Sequence, residues 1–516
     1  MVETIHYRLA VDYVADLVAR THALEELAKR LALLEDYVSA EVPALIGKFA
    51  AAAAIIRRSS LEEFQRYRRT GDSKDLTLLR SIDLALQELF LDVRLPERAR
   101  SDRVPGVLSR LVSKKAGQIL PGAAIILRPQ WRYNYKIYRS DVQTRYRTLF
   151  APIFPSLASI ENWLTGLPDP LYIISFPLIE HRSIRMHALL GHELGHLMAR
   201  SYVAPGNLTG VFEKSIRSER LTYLRNTRPD LKEESNDAIL EGDTDIEKSI
   251  DARNTAIKEY AADAAAVYIL GVPAVLATAQ LAMSRSPRQS REGERGTYPT
   301  WGNRLVFMMQ QVEDVGWDAA LEKLTRRSQP RVHRAISALR DRLAAIRQWV
   351  GTAPHWTVGD RWVRKGHGSA EELLSDIRVF LKEKFAPSFA DVLAATSALP
   401  TLLRRLDNSH PPDNLNASEL PFKAASLDQI FLASWCHSLS SLEPTFTEED
   451  LSEGSRESIE SIRRLTLKAI ENVDFMESFE ARIGEESVSV RPNARRAVKA
   501  PSSKRKTKAG RHATTR

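Results

Sequence analysis

The sequence predicts an α+β chain, mostly helical, in which a small β-sheet and one motif-bearing helix lie between two helical flanks. Three observations predict it. Apolar residues recur at helical spacing over most of the 516 residues. Between about residue 123 and residue 179 the pattern changes to short apolar runs and alternation. Directly after that comes Gly191-His192-Glu193-Leu194-Gly195-His196, whose two histidines share one face only on a helix.

Along the first region, Val11, Val14, Leu17, Val18, Leu24, Leu27 and Leu31 recur as on a helix, and residues 7 to 57 read as a helical hairpin. Further helical pattern over Leu76 to Leu91 and around Val107 to Leu111 completes an N-terminal helical region, residues 1–115. The run Ala123 to Arg128, the turn Pro129-Gln130 and the alternating Arg132 to Tyr138 predict a β-hairpin. Leu171 to Ile179 is a third strand, and Pro177 suits an edge position that needs no ladder donor. The motif helix is expected to start near Ser183.

Ala264 to Met283 is the one membrane-like stretch, but Gly271, Pro273, Thr278 and Gln280 interrupt it and Asp263 abuts it. It predicts two buried helices broken at Gly271-Val272-Pro273 and no membrane span. These elements define a central region, residues 116–312. Beyond 313, helical segments near Val332 to Val350, Ala370 to Phe385, Phe389 to Leu406 and Ser455 to Val473 define a C-terminal helical region, 313–485. Linkers are expected at Gly366-His367-Gly368 and at His410-Pro411-Pro412-Asp413-Asn414.

Composition narrows the function classes. The single Cys436 excludes an intramolecular disulfide and a cysteine-rich zinc module. No basic start with an apolar core and a cleavage site opens the chain, so a cytoplasmic location is expected. Ten of the 74 basic side chains lie in residues 491–516, which hold no acid: Arg491, Arg495, Arg496, Lys499, Lys504, Arg505, Lys506, Lys508, Arg511 and Arg516. The formal charge of +9 therefore belongs to a tail, 486–516, expected to be disordered. Such a tail allows nonspecific nucleic-acid contact, but the interleaved aromatics of a dedicated binder are missing.

The chemistry is concentrated in the His-Glu-x-x-His pentad. Imidazoles four residues apart on a helix can hold one metal ion, with zinc the natural choice, and a catalytic zinc needs a third protein ligand. Glu193, between the two histidines, is placed for general-base work rather than ligation. A metzincin would need Gly and His where this chain has Ala199 and Tyr202, which excludes that pattern. The best third ligand is Glu259 in Lys258-Glu259-Tyr260-Ala261-Ala262-Asp263-Ala264-Ala265-Ala266, with Asp263 one turn on to fix the tautomer of a ligating imidazole. The small alanines would let this helix approach the motif helix closely. Glu241, Asp243, Asp245 and Glu247 stand in a polar, loop-like stretch and are weaker candidates. His187, five residues before His192, faces away from the metal side, so a surface or supporting place is expected; His181 is likewise no ligand. The charged segment Phe212 to Ile250 reads as a lid or a solvated excursion.

His-Glu-x-x-His followed some sixty residues later by Glu-x-x-Ala-Asp resembles the gluzincin metallopeptidases, above all the family of the CAAX-processing and heat-shock membrane peptidases. Their pattern often continues with His-Pro and a nearby Arg, and here Tyr298-Pro299-Thr300-Trp301-Gly302-Asn303-Arg304 stands at that point, with Tyr298 replacing the His. A looser similarity, through Glu259, Ala262, Ala266, Ile269, Leu270 and Pro273, is to the anti-repressor peptidases of mobile elements, with Asp263 in place of their Asn. The resemblance covers about residues 170 to 310. It implies a zincin-like core, a bound Zn2+, and hydrolysis of a protein or peptide substrate with Glu193 as base and Tyr298 or Arg304 as oxyanion donors. The strand at Leu171 to Ile179 would bind substrate backbone by strand addition. The competing expectation is an interaction or regulatory protein that keeps the zincin fold without turnover.

Overall fold

The structure, a computed structural model, describes residues 2–34, 41–70, 73–98, 112, 115–119, 123–131, 135–153, 157–167, 170–180, 183–203, 207–283, 297–326, 328–351, 360–386, 389–416, 421–441, 460–477 and 479–480. Among the described residues helices dominate and one three-stranded sheet accompanies them, which is the mostly helical α+β class expected. Among the described residues no helix is long and apolar enough to cross a membrane.

The chain opens with three long helices, α1 (Val2–Ala32), α2 (Glu41–Thr70) and α3 (Ser73–Arg98). Their heptad-like apolar positions bury one another: Leu17, Leu24 and Leu31 share a core with Leu45, Phe49 and Ile56 and with Leu79, Ile82 and Leu89. The helical hairpin expected here is thus part of a three-helix layer. The expectation for Val107 to Leu111 lies outside the described residues.

The sheet departs from the expected hairpin. Strand β1 (Ala124–Gln130) and strand β2 (Lys136–Ser140) do not pair with each other; both pair with β3 (Leu171–Pro177), giving the order β1-β3-β2. β1 runs parallel to β3 with Ala124 opposite Leu171, and β2 runs antiparallel with Lys136 opposite Ser175. β3 is therefore the central strand, and its expected edge position is corrected. The reason is in its composition: all seven residues are buried, and such a continuous run is satisfied only by a neighbour on each side and cover on each face. Pro177 is tolerated because it closes the strand, opposite Gln130.

Successive residues of the strands serve two cores. Ala124, Ile126, Leu171 and Ile173 face the N-terminal helices together with Tyr146 and Phe150 of α4 (Val142–Phe150) and Trp163 of α5 (Leu157–Leu164). Ile125, Leu127, Tyr172, Ile174 and Phe176 face the second core, which runs on through the rest of the molecule to Val473. His187 belongs to this second core. It is buried against the rings of Phe176 and Tyr135, so of the surface or supporting place expected for it the surface one is excluded.

After a 3-10 turn at Ile184–Leu189 the motif helix α6 spans Leu190–Val203. The charged stretch that read as a lid or a solvated excursion forms helix α7 (Asn207–Thr227), a 3-10 turn at Pro229–Leu231, α8 (Asn236–Leu240) and the start of α9 (Thr244–Leu270). Asp243 caps α9 by accepting from the backbone N–H groups of Asp245 and Ile246 and also pairs with Arg220 at 2.8 Å, which gives this acid a structural place. The chain breaks at Gly271 as expected, and α10 (Val272–Met283) follows.

Helices α11 (Trp301–Val315), α12 (Trp317–Thr325), α13 (Pro330–Gly351), α14 (Arg361–Glu371), α15 (Leu374–Phe385), α16 (Val392–Asp407), α17 (Leu427–Ser441) and helical residues 460–477 complete the fold. Gly366-His367-Gly368 is not a linker but the middle of α14. A Cβ on Gly366 would stand 2.3 Å from the Ser249 carbonyl oxygen, so this glycine serves close contact between α14 and α9. The predicted linker His410 to Asn414 is a fastened turn, with Arg405 Nη2 donating to the buried Asp413 carboxylate at 2.9 Å. The basic tail 486–516 lies outside the described residues.

His367 gives the fold a pH dependence. Burial lowers its pKa from the ordinary 6.5, and its Nε2 lies 2.8 Å from the Thr297 carbonyl oxygen, to which it donates. Because the folded pKa lies below the unfolded one, the unfolded chain binds the extra proton first on acidification. This contribution to stability is full above 6.5 and is lost as pH falls toward the folded value. Denaturant midpoints measured between neutral pH and acid should fall less steeply for His367→Gln, which keeps an amide donor for Thr297; an unchanged slope would remove His367 from the account.

Candidate metal centre

The site begins as a packing problem. α6 must bring two histidines to a carboxylate on α9, and the reach of a glutamate demands that the two backbones lie close. Small residues on both helices allow it: a Cβ built on Gly195 would stand 2.5 Å from the Ala262 carbonyl oxygen and 2.6 Å from its Cα. One turn earlier, Gly191 approaches Ala266 and Leu270. The alanine-rich face anticipated for the second helix is the surface on which the motif helix rests.

This contact brings His192, His196, Glu259 and Asp263 together. Glu259 Oε2 lies 3.4 Å from His192 Nε2, and Glu259 Oε1 lies 3.5 Å from His196 Nε2. His192 Nδ1 lies 2.8 Å from Asp263 Oδ1, so the ring donates its Nδ1 proton to that carboxylate and turns its Nε2 toward Glu259. Asp263 is fully buried and Glu259 is 3% exposed, whereas the two histidines keep side-chain exposures of 12% and 19%, which leaves the imidazole side of the cluster open to a small reactant. Glu193, also buried, offers an oxygen within 4.8 Å of a nitrogen of each histidine.

Arg304, from α11, ties the carboxylates down. Its Nε and Nη2 each donate to Asp263 at 2.8 Å, a bidentate pair, and its Nη1 lies 2.9 Å from Glu259 Oε2. All three guanidinium nitrogens thus face carboxylates. Trp301, one turn earlier on the same helix, lies under the guanidinium at 4.9 Å. Trp301 is the site residue that motif reading passed over. Its signal was the Trp-x-x-Arg spacing, which puts an aromatic and a guanidinium on one helical face.

Charge follows from this arrangement. Burial and Arg304 both oppose protonation of His192, yet Asp263 and Glu259 outweigh them and raise it to about 9. Burial takes His196 the other way, down to about 3. Burial would raise the carboxyls of Glu259 and Asp263, but Arg304 and the histidines hold both below the usual range. Arg304 is in turn raised by its two carboxylates against the effect of burial. Three carboxylates, those of Glu193, Glu259 and Asp263, therefore stand against the Arg304 guanidinium and a protonated His192, and a divalent cation taking the place of the His192 proton would bring the charges into balance.

The residues fit such an ion. In tetrahedral coordination at zinc-to-ligand distances of about 2.0–2.1 Å, neighbouring ligand atoms stand about 3.3–3.4 Å apart. The Glu259 carboxylate presents a different oxygen to each histidine, Oε2 to His192 at 3.4 Å and Oε1 to His196 at 3.5 Å, and each distance is close to that edge. Glu259 Oε2 is also buried without accepting a hydrogen bond, its approach to Arg304 being an ion pair without hydrogen-bond geometry. That leaves lone-pair density for a metal. Tyr298 lies half-buried in the segment that enters α11, two residues before its cap, Thr300. His181 lies outside the described residues.

No protein-family model, no curated protein and no solved structure matches the chain. The site has to be judged on its own chemistry.

Proposed function

We propose that the chain is a zinc-dependent metallopeptidase, in which His192, His196 and Glu259 hold the ion and Glu193 is the general base. The observation that carries this reading is that the buried Glu259 carboxylate faces both imidazoles, with Oε2 3.4 Å from His192 Nε2 and Oε1 3.5 Å from His196 Nε2, and that Oε2 accepts no hydrogen bond. Two imidazoles and a carboxylate, with one imidazole backed by a second carboxylate, are the donor set zinc favours in hydrolytic sites. Bound there, zinc would polarise the scissile carbonyl and acidify water.

The chain's own residues do the rest. Glu193 takes the proton of the attacking water and returns it to the leaving amine. Asp263 holds the His192 ring in the ligating tautomer, and Arg304 positions both Asp263 and Glu259. With its three nitrogens turned to carboxylates, Arg304 suits positioning better than oxyanion stabilisation, which leaves the Tyr298 hydroxyl as the candidate donor to the oxyanion. The central place of β3 removes it as a strand for substrate backbone. β2, which borders α6 and pairs along one side with β3, takes over that role.

The test is metal analysis of the purified full-length chain together with incubation against a proteome-derived peptide library. About one zinc per chain is expected, with cleavage that a chelator abolishes and added zinc restores. Zinc without cleavage would favour the regulatory, non-catalytic alternative; no zinc would overturn the reading.

A further inference from the structure

The motif helix carries a third polar residue on the face of its two histidines. His192, His196 and Arg200 follow one another at four-residue intervals on α6 and so form one stripe. The remaining residues from Gly191 to Arg200 are all buried, which makes this stripe the part of the segment that meets solvent, with Arg200 its exposed end. A cation in the last turn of a helix suits the negative end of the helix dipole, but that effect asks for no particular face.

An aromatic ring supports the guanidinium. It lies 5.4 Å from the ring centroid of Tyr172 on β3, and among the described residues Arg200 makes no hydrogen bond or ion pair. A guanidinium resting on a ring keeps its N–H groups along its edge for an acceptor. Tyr172 also stands opposite Arg139 of β2 in the antiparallel register. Directly opposed residues of such a pair share one face, so Arg139, itself exposed, adds positive charge on the side of the sheet where Tyr172 packs with Leu194 and Leu197 of α6. β2 borders α6, and a substrate laid along it passes the solvent-open stripe.

On the peptidase reading, on which this rests, we propose that Arg200 determines specificity by selecting an acidic side chain in the substrate. Four residues of helix rise about 6 Å, whereas an extended chain advances about 3.3 Å per residue, so the acid belongs within about three residues of the scissile bond. A carboxylate there would take paired hydrogen bonds from the guanidinium edge.

A cleavage-site profile of the zinc-loaded full-length chain on a proteome-derived peptide library tests this, followed by kcat/KM for one cleaved peptide and its copy with the acid changed to Gln. Asp and Glu should be enriched near the wild-type cleavage sites, and the acidic peptide should be preferred by about threefold or more, as a partly exposed bidentate pair allows. Arg200→Gln should bring that ratio close to one, and Arg200→Glu should turn the preference toward Lys and Arg; a merely structural role would slow both peptides alike and leave the ratio unchanged. Circular dichroism checks that the variants fold, and should neither fold, the wild-type preference still decides, because it should shrink as salt rises. No acidic enrichment in the wild type, a preference that survives in folded Arg200→Gln, or one unmoved by salt would overturn this proposal and leave the peptidase reading standing. No cleavage by the wild type would overturn the peptidase reading and this proposal with it.

Discussion

A chain carrying Glu193→Gln is expected to keep its metal and lose its turnover. Glu193 sits between the two histidines in sequence, with an oxygen within 4.8 Å of a nitrogen of each, while Glu259 holds the two shorter distances. An amide at position 193 is nearly isosteric with the carboxylate and leaves the histidines, Glu259 and Asp263 in place, but it cannot take a proton from water. General-base catalysis contributes about 10²–10⁴-fold, and a loss of that size in kcat is expected with zinc content and thermal stability close to wild type. The assay is peptide hydrolysis beside metal analysis on the same preparation. Full activity in the variant would end the general-base assignment; loss of zinc together with activity would make Glu193 a ligand instead.

Gly195→Ala should damage the same site without touching any ligand. Its Cβ would meet the Ala262 carbonyl oxygen at 2.5 Å and the Ala262 Cα at 2.6 Å, and both belong to backbone that no rotamer change can move. Relief requires α6 and α9 to part. Forced overpacking of this kind costs about 1–3 kcal/mol or more. Since α6 carries both histidines and α9 carries Glu259, the same displacement opens the ligand set, so zinc affinity should fall with stability. Gly210→Ala on α7 is the matched control, because a Cβ there meets nothing within 4 Å. Denaturant midpoints and chelator competition on both variants would decide it. A Gly195→Ala chain as stable and as zinc-avid as the Gly210→Ala control would contradict the packing account.

Much of this site was legible in the sequence because its determinants are local. The four-residue spacing of His192 and His196, and of Glu259 and Asp263, becomes a shared face as soon as each segment is helical. The run of alanines around Ala262 announced a close helix contact for the same reason. What could not be read depended on distant partners. β1 and β2 are near neighbours in sequence and looked like a hairpin, yet each pairs with β3, because burying both faces and both edges of Leu171–Pro177 outweighs a short turn. Gly366 has the composition of a linker and is a contact residue, since its meaning lies in the Ser249 carbonyl more than a hundred residues away in the chain. Arg304 was legible as important but not as a clamp, because that role needs Asp263 and Glu259 to be already side by side.

The central strand has a consequence for how the molecule can be cut. Neighbouring residues of β3 belong to different cores: Ile173 completes the one built on α1, α2 and α3, and Ile174 completes the one that carries α6 and α9. The strand is a party wall. A fragment that began after residue 98 would present Ala124, Ile126, Leu171 and Ile173 to water on the back of the layer that supports the motif helix. The N-terminal helices are therefore not a detachable adaptor but the second side of the partition against which the metal site is built.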